Sequence, residues 1–582
     1  MSSFEKNNNS MRSRKPSSKK KKTPSEKKPN VVDHKDTNGE REITNLPPSF
    51  TSKSAKKKIW SLSFVIIVLA LKLFQWQKAT VPYVSSSNAR NAIELTFLES
   101  WSNYVEDAFG YDVYHPLSHT GQNMVNETKP LGWIVVDSID TMMLMYNNSE
   151  NNKQRFKSEI ERCEKWIIEC LDYDIDHNEL NIFETTIRML GGFLSAYYLS
   201  TQFNVGNSTL YLDRAIDLGS RLSTIYENGQ RSIPYSSINL FTKQTFKSHA
   251  DMGASSTAEF TTLQLEFKYL SVLIDDVELW ENSERCYDVL YSVNNLLGSY
   301  YDGLAPIYVQ PDSGRFQGNN IRLGSRGDSF YEYLLKQYLL SPKNSTKFYD
   351  LYRGSMEGVK RHLVGKSEPH KLTYIGERVN GIHHSSLSPK MDHLVCFMGG
   401  LLMMGATEGN NITWSKKQPW FDSVRWEDWK LGAQITKTCY HMYHDIPGTG
   451  LSPEIVVFNT GNGNNEQQQN DWWKSDSGDI YIKPLDKHNL QRPETVESIF
   501  FAYHLTKSNV FRKFGWEIYK NFKAHGMTSL NNVLTGEPKD NIESFWYAET
   551  LKYLYLLFVD EFDLTKVVFN TEAHIFPVLR EQ

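Results

Sequence analysis

Apolar residues recur at helical spacing in fourteen stretches of this chain, near residues 91–109, 136–146, 153–171, 184–200, 210–226, 257–274, 278–297, 328–340, 346–364, 391–405, 428–443, 494–506, 509–525 and 542–559. Strand-like runs are few and short, at 303–309, 454–458, 480–482 and 567–578. The pattern predicts an all-α fold with minor β elements. The odd-numbered helices of the series, such as KFYDLYRGSMEGVKRHL, carry charge along one face and read as outward-facing. The even-numbered ones are poorer in Lys and Arg, richer in Gly, and carry acids in or near their first turns. An inner ring of helices inside an outer ring, seven hairpins in all, accounts for this alternation and points one set of inner ends at a common axial pocket. A helical solenoid would also pair its helices, but no short repeat is present.

The one apolar run outside this scheme is IWSLSFVIIVLALKLFQW, residues 59–76, where Lys72 is the only charge and tryptophan stands at both ends. Its length suffices for a bilayer, and Lys72 can snorkel to an interface. Residues 1–58 hold 16 Lys/Arg against 6 Asp/Glu and almost nothing apolar to bury, which predicts a disordered basic tail. Positive charge stays cytoplasmic, so the expectation is a single-pass type II anchor, with a stem at 77–90 and residues 91–582 forming one lumenal catalytic domain. Beyond the anchor the balance reverses: residues 79–582 carry 46 basic and 62 acidic side chains, which argues against nucleic acid as a partner. Acceptor sequons at Asn126, Asn147, Asn207, Asn344 and Asn411 all fall on the lumenal side. An oxidising lumen permits Cys396 and Cys439 to pair, closing a loop worth roughly 4 kcal/mol in the chain-entropy model, and two buried thiols remain the alternative. Cys163, Cys170 and Cys286 sit in helical patterns and read as core residues.

The acids of the even-numbered helices are Asp137 and Asp140, Glu184, Glu259 and Glu266, Asp328 and Glu332, Asp392, Glu494 and Glu497, and Glu543 and Glu549. Any one of them could be there for the helix dipole or for capping. Together they have apolar and aromatic neighbours rather than exposed polar ones. Glu494 and Glu497 lie three apart on one helical face, where like charges repel unless a cation, sugar hydroxyls or shared protons compensate. Several carboxylates among aromatics suit carbohydrate, and glycosidic cleavage needs one acid kept protonated and another ionised. Nucleophile-elbow, HExxH, Walker, dinucleotide-binding and EF-hand patterns do not occur, and His383-His384 reads as a loop rather than a metal site.

Nine segments, in order, carry a family resemblance: GWIVVDSIDTMMLMY, FETTIRMLGGFLSAYYLS, AEFTTLQLEFKYLS, LGSRGDSFYEYLLKQYLL, KMDHLVCFMGG, LSPEIVVFN, HNLQRPETVES, ESFWYAETLKYLYLLF and VVFNTEAH. Over residues 91–576 the chain resembles glycoside hydrolase family 47, the class I α-1,2-mannosidases of the secretory pathway. The resemblance implies an (α/α)7 barrel plugged by a C-terminal β-hairpin, inversion at the released mannose, and a requirement for calcium. It implies Glu184 as general acid, Glu494 as the base that activates water and Asp328 as a third essential carboxylate, with Glu454 a further proton-donor candidate. It implies Thr571 as a direct Ca²⁺ ligand, with Glu497, Glu549 and Glu572 acting through water, and oxygen-only, partly hydrated coordination suits that ion. Phe545 would form the platform under the terminal mannose, with Asp137, Glu266 and Glu332 lining the rest of the pocket. Arg326 stands in the RGDS context found in members that trim one particular mannose in the endoplasmic reticulum, and a guanidinium there could hold one glycan branch. The resemblance also favours the Cys396–Cys439 disulfide. The expected activity is release of a terminal mannose from the nine-mannose N-glycan by a monomer anchored in the endoplasmic-reticulum membrane. A mannose-binding quality-control factor on the same scaffold is the alternative, disfavoured because Glu184, Asp328, Glu494 and Thr571 are all kept.

Overall fold

A computed structural model describes residues 84–579, apart from Asn126, residues 342–344 and residues 462–470. The basic tail, the apolar run at 59–76, the sequons at Asn126 and Asn344 and most of the polar loop near residue 465 therefore lie outside the described residues. Among the described residues, no helix is long and apolar enough to cross a membrane.

All fourteen predicted helices are present. Their burial sorts them as the charge pattern predicts. In the even-numbered helix Glu494–Thr506, twelve of thirteen residues are buried, Glu494 and Glu497 among them. Its outer neighbour Asn509–Ala524 buries only five of sixteen, on a single stripe. A helix buried all round must be surrounded by others, whereas a striped one has a side facing water. The inner helices pack in sequence order: Trp133–Asn148 on 182–203, then 257–274, Asp328–Leu340, Phe397–Thr407, Glu494–Thr506 and 546–557, the last returning to Trp133–Asn148. The ring closes. Each outer helix packs against an inner one, and the pair Phe397–Thr407 and Ser423–His444 has the most extensive contact. Gly399 and Gly432 permit that approach: a Cβ on Gly432 would stand 2.7 Å from the Gly399 carbonyl oxygen. The Cys396–Cys439 disulfide ties the residue just before Phe397–Thr407 to the helix Ser423–His444 at a Cα–Cα distance of 5.9 Å.

The departures from the predicted elements have local causes. Residues 391–405 begin not as helix but as strand Lys390–Asp392, continue as a 3₁₀ turn at His393–Cys396, and only then become the helix Phe397–Thr407. Backbone pairing of Lys390–Asp392 with Ile455–Phe458 takes the first residues out of helical geometry. The 257–274 helix breaks after Phe260, where Thr261 and Thr262 turn their hydroxyls back to the carbonyls of Thr257 and Ala258, at 2.6 and 2.5 Å. Such back-bonding competes with the helical ladder. Two inner helices contain π-helical turns, Thr185–Leu190 and Trp546–Thr550, which 3.6-residue spacing does not reveal. Of the run 303–309 only Tyr308–Val309 is strand. Cys163 and Cys286 are buried as expected, but Cys170 is exposed, because the helix Lys153–Glu169 ends one residue before it. The first helix begins at Ser86, capped by the Ser85 side chain, and so includes part of the predicted stem.

The C-terminal run folds as an antiparallel hairpin, Val567–Phe569 with Ile575–Pro577. Its turn reaches across the ring. Asn570 Nδ2 donates to the Ile187 carbonyl (2.9 Å) and to Glu266 Oε1 (2.7 Å). Lys336 Nζ donates to the Asn570 carbonyl (3.1 Å), and Lys552 Nζ to the Ala573 carbonyl (2.7 Å). Four inner helices thus grip one five-residue turn, which closes one end of the barrel.

Candidate functional site

The open end of the barrel leads to a cavity of about 330 Å³. Eleven of the residues singled out in the sequence line it: Glu184, Glu259, Arg326, Asp328, Glu332, Glu494, Glu497, Phe545, Glu549, Thr571 and Glu572. They come from five inner-helix segments and the C-terminal turn, so residues almost four hundred positions apart meet on one surface. Eight carboxyl groups thus face the cavity against three guanidinium groups, those of Arg188, Arg326 and Arg492.

The three arginines share the work of holding these acids. Arg188, almost buried, donates from Nε to Glu184 Oε2 at 2.8 Å. Its Nη1 reaches Asp137 Oδ2 (3.3 Å) and also pairs with Glu572. Arg492 pairs through Nε with Glu454, whose Oε1 accepts the Leu490 N–H at 3.0 Å. Both guanidinium groups lie beside the Phe545 ring, 5.9 and 5.4 Å from its centroid. Phe545 is thus an apolar face framed by cations.

Glu494 and Asp328 are pushed in opposite directions. Burial works against ionised Glu494, but the His393 ring nitrogen Nδ1 at 2.7 Å and the nearby Arg492 outweigh it and hold the carboxyl below its usual range. His393 is itself fixed through Nε2, against the Tyr443 hydroxyl (2.9 Å) and Thr495 Oγ1 (3.0 Å). Asp328 accepts from the Ser329 N–H at 2.9 Å and from its own backbone N–H, and these do not outweigh burial. Burial, with Glu332 and Glu494 adding to it, raises its pKa to about 7. An ionised carboxylate beside a carboxyl that still carries a proton near neutrality gives one cavity both a base and a hydrogen-bond donor. Glu497, Glu549 and Glu572 are all driven well above the ordinary range, first by burial and then by the carboxylates around them, against the partial relief of Lys336 or Arg188.

At the closed end, the Thr571 hydroxyl donates to Glu332 Oε2 at 2.8 Å, while Lys336 occupies Glu332 Oε1. With its proton given away, the Thr571 oxygen keeps its lone pairs. Among the described residues, no three His, Cys, Asp or Glu side chains converge as a direct chelating set.

Three expected residues stand behind the cavity wall instead of on it. Asp137 is fully buried, bonded to Ser544 Oγ (2.5 Å) and to His574 Nε2 (3.0 Å). Glu266 accepts from Tyr333 and Asn570, and Glu454 supports Arg492. Beneath them runs a network that the sequence reading missed. His574 Nδ1 meets Asp140 Oδ2 at 2.9 Å, and Lys552 Nζ reaches the same oxygen at 2.9 Å, all without solvent exposure. Burial disfavours a charged imidazole, but the two aspartates outweigh it and raise the His574 pKa. Only the adjacency of Arg188 and Arg492 to FET and PET in sequence could have suggested that each acid needs a cation.

The sequons at Asn147 and Asn207 are exposed and Asn411 is half-buried; Asn207 and Asn411 also cap helices through Oδ1.

Comparison with known proteins gives the same assignment. Glycosyl hydrolase family 47 matches residues 96–578. The chain is 57% identical over 508 residues to the "Endoplasmic reticulum mannosyl-oligosaccharide 1,2-alpha-mannosidase" of Saccharomyces cerevisiae, covering 85% of this chain and 91% of that one. It is 49% identical to the Candida albicans "Mannosyl-oligosaccharide 1,2-alpha-mannosidase", covering 84% and 83%. Among solved structures, the α-1,2-mannosidase from Trichoderma reesei superposes with a TM-score of 0.72 at 26% identity, covering 84% of this chain and 99% of that one. With its closed helical ring and its cavity of paired acids, the chain is a glycoside hydrolase and belongs to glycosyl hydrolase family 47.

Proposed function

We propose that this protein is a calcium-dependent, inverting exo-α-1,2-mannosidase that removes one terminal mannose from the nine-mannose N-glycan in the lumen of the endoplasmic reticulum, held there as a monomer by a type II anchor at residues 59–76. The observation that carries the reading is the opposite displacement of Glu494 and Asp328 within one cavity. The names of the Saccharomyces and Candida relatives support the linkage and the substrate class.

In this reading the terminal mannose rests on Phe545. Glu494, ionised and oriented by His393, takes a proton from water as the water oxygen bonds to the anomeric carbon from the face opposite the leaving group. Glu184, aimed by the Arg188 Nε contact, gives its proton to the departing glycosidic oxygen. Asp328 keeps its proton near neutral pH and donates a hydrogen bond to the sugar. Solvent exchange then resets both carboxyl groups. Oxygen donors in excess negative charge fit Ca²⁺, which would sit on Thr571 with Glu497, Glu549 and Glu572 ordering its waters. When bound, it would supply positive charge and coordination for sugar hydroxyls. The test is product-isomer analysis of the nine-mannose glycan treated with residues 79–582. Failure to release mannose in the presence of calcium would overturn the reading.

The pH profile follows from these displacements. Release should fall above about pH 7, as Asp328 loses the proton with which it donates. It should fall again in acid, below the usual carboxylate range, as Glu494 becomes protonated against the pull of His393 and Arg492. In Asp328→Asn the amide donates at every pH, so the fall near pH 7 that belongs to Asp328 disappears from the residual rate. An alkaline limb persisting near pH 7 in that variant would remove Asp328 from this role.

Arg326 gives a second expectation. It lines the mouth with a third of its side chain exposed, where it can hold one branch. Arg326→Leu should therefore release more than one eight-mannose isomer, and an unchanged single isomer in that variant would exclude it as the selector.

A further inference from the structure

We propose that Asp251 is the positioning residue for Arg326 and, through it, decides which glycan branch enters the cavity; this rests on the reading of Arg326 given above. A long guanidinium side chain left free at a cavity mouth would populate many rotamers and select poorly, since ordering it costs entropy. Here it is fixed at both ends. The Arg326 backbone lies in the left-handed region, at φ 74°, which costs a non-glycine residue of order 1 kcal/mol and must be held by its surroundings. The Arg326 carbonyl accepts from Ala258 N–H (3.0 Å) and from Ser256 Oγ (3.4 Å).

At the other end Nη1 donates to Asp251 Oδ2 at 3.0 Å, with Glu259 Oε1 farther off at 3.5 Å and the Tyr308 ring centroid 5.3 Å from the guanidinium carbon. Asp251 is built to stay put. Tyr308 donates its hydroxyl to Oδ1 (2.9 Å), and Ser248 donates Oγ to Oδ2 (2.8 Å). The Asp251 N–H returns to Ser248 Oγ (3.2 Å), and Gln317 Nε2 donates to the Asp251 carbonyl (3.3 Å). Its side chain is nearly buried and does not line the cavity, so it can act on the glycan only through the arginine. Glu259, the other acid in reach, is shifted by burial toward neutrality, to about 7, which leaves Asp251 as the firmer anchor. Charge-assisted bonds of this kind hold geometry as well as energy.

The test compares Asp251→Ala, Asp251→Asn, Arg326→Leu and the Asp251→Ala/Arg326→Leu double variant on two substrates, the nine-mannose glycan and the disaccharide α-1,2-mannobiose. The disaccharide has the scissile bond but no branch to reach the mouth. Asp251→Ala should broaden the product isomers and lower kcat/KM on the full glycan about tenfold, chiefly through KM, the loss expected for one hydrogen bond to a charged group. Its rate on mannobiose should stay within about twofold. Asp251→Asn, which keeps the side-chain volume, should fall between. On the Arg326→Leu background, Asp251→Ala should add nothing. Equal losses on both substrates, or a single isomer retained by both Asp251 variants while Arg326→Leu broadens, would overturn the role of Asp251 alone. An unchanged isomer in Arg326→Leu would overturn the reading of Arg326 and this proposal with it.

Discussion

Glu494→Gln is expected to lower mannose release about 10³-fold in kcat, with KM little changed, the range set by loss of a general base. The substitution keeps the volume of the side chain and an oxygen for His393, but it cannot take a proton from water. Because His393 and Arg492 hold ionised Glu494 below its usual range, the variant gives up those charge interactions while relieving repulsion on Glu497 and Glu549, and it should unfold somewhat earlier than the parent protein. Rate and unfolding temperature measured together therefore separate chemistry from stability. A folded variant that keeps a tenth of the parent activity would exclude Glu494 as the base.

The second large effect is that of calcium removal. Eight carboxyl groups against three guanidiniums leave the cavity negative by five if all are ionised. Without a cation, burial and repulsion push Glu497, Glu549 and Glu572 well above the usual range. A chelator should therefore abolish release and also lower the unfolding temperature by about 5 °C, from a stabilisation of about 4 kcal/mol at saturating ion spread over a large domain. Thr571→Ala should behave at ordinary calcium concentration as the parent does under chelator, and high calcium should restore it in part. An unfolding temperature indifferent to chelator would refute a bound ion on this wall, whatever happens to the rate.

Much of this architecture is legible in the sequence because it depends on periodicity. The even-numbered helices lack a charged face, and a helix without one must be enclosed; Glu494–Thr506 is such a helix, and it lies in the inner ring. Deviations occur where hydrogen bonds from elsewhere compete with the local ladder, as at Lys390–Asp392 and at Thr261–Thr262. Both π turns supply residues to the cavity lining, Ile187 and Arg188 from one and Glu549 from the other, and leave no trace in spacing.

The acids divide the same way. Their presence at the ends of inner helices is written in order along the chain, as is the adjacency of Arg492 to Glu494. Which of them meets the cavity is not. Asp137 and Glu332 occupy similar positions in two inner helices, yet Asp137 is sealed against Ser544 and His574 while Glu332 faces the pocket beside Thr571. His393 looked like an ordinary helix residue and became the partner of Glu494, a hundred positions away. Helix, hairpin order and total charge follow from residues near one another, so the chain alone determines them. The ionisation of each carboxyl depends on desolvation and on charges brought in from distant segments, and only ring closure around the C-terminal turn decides those.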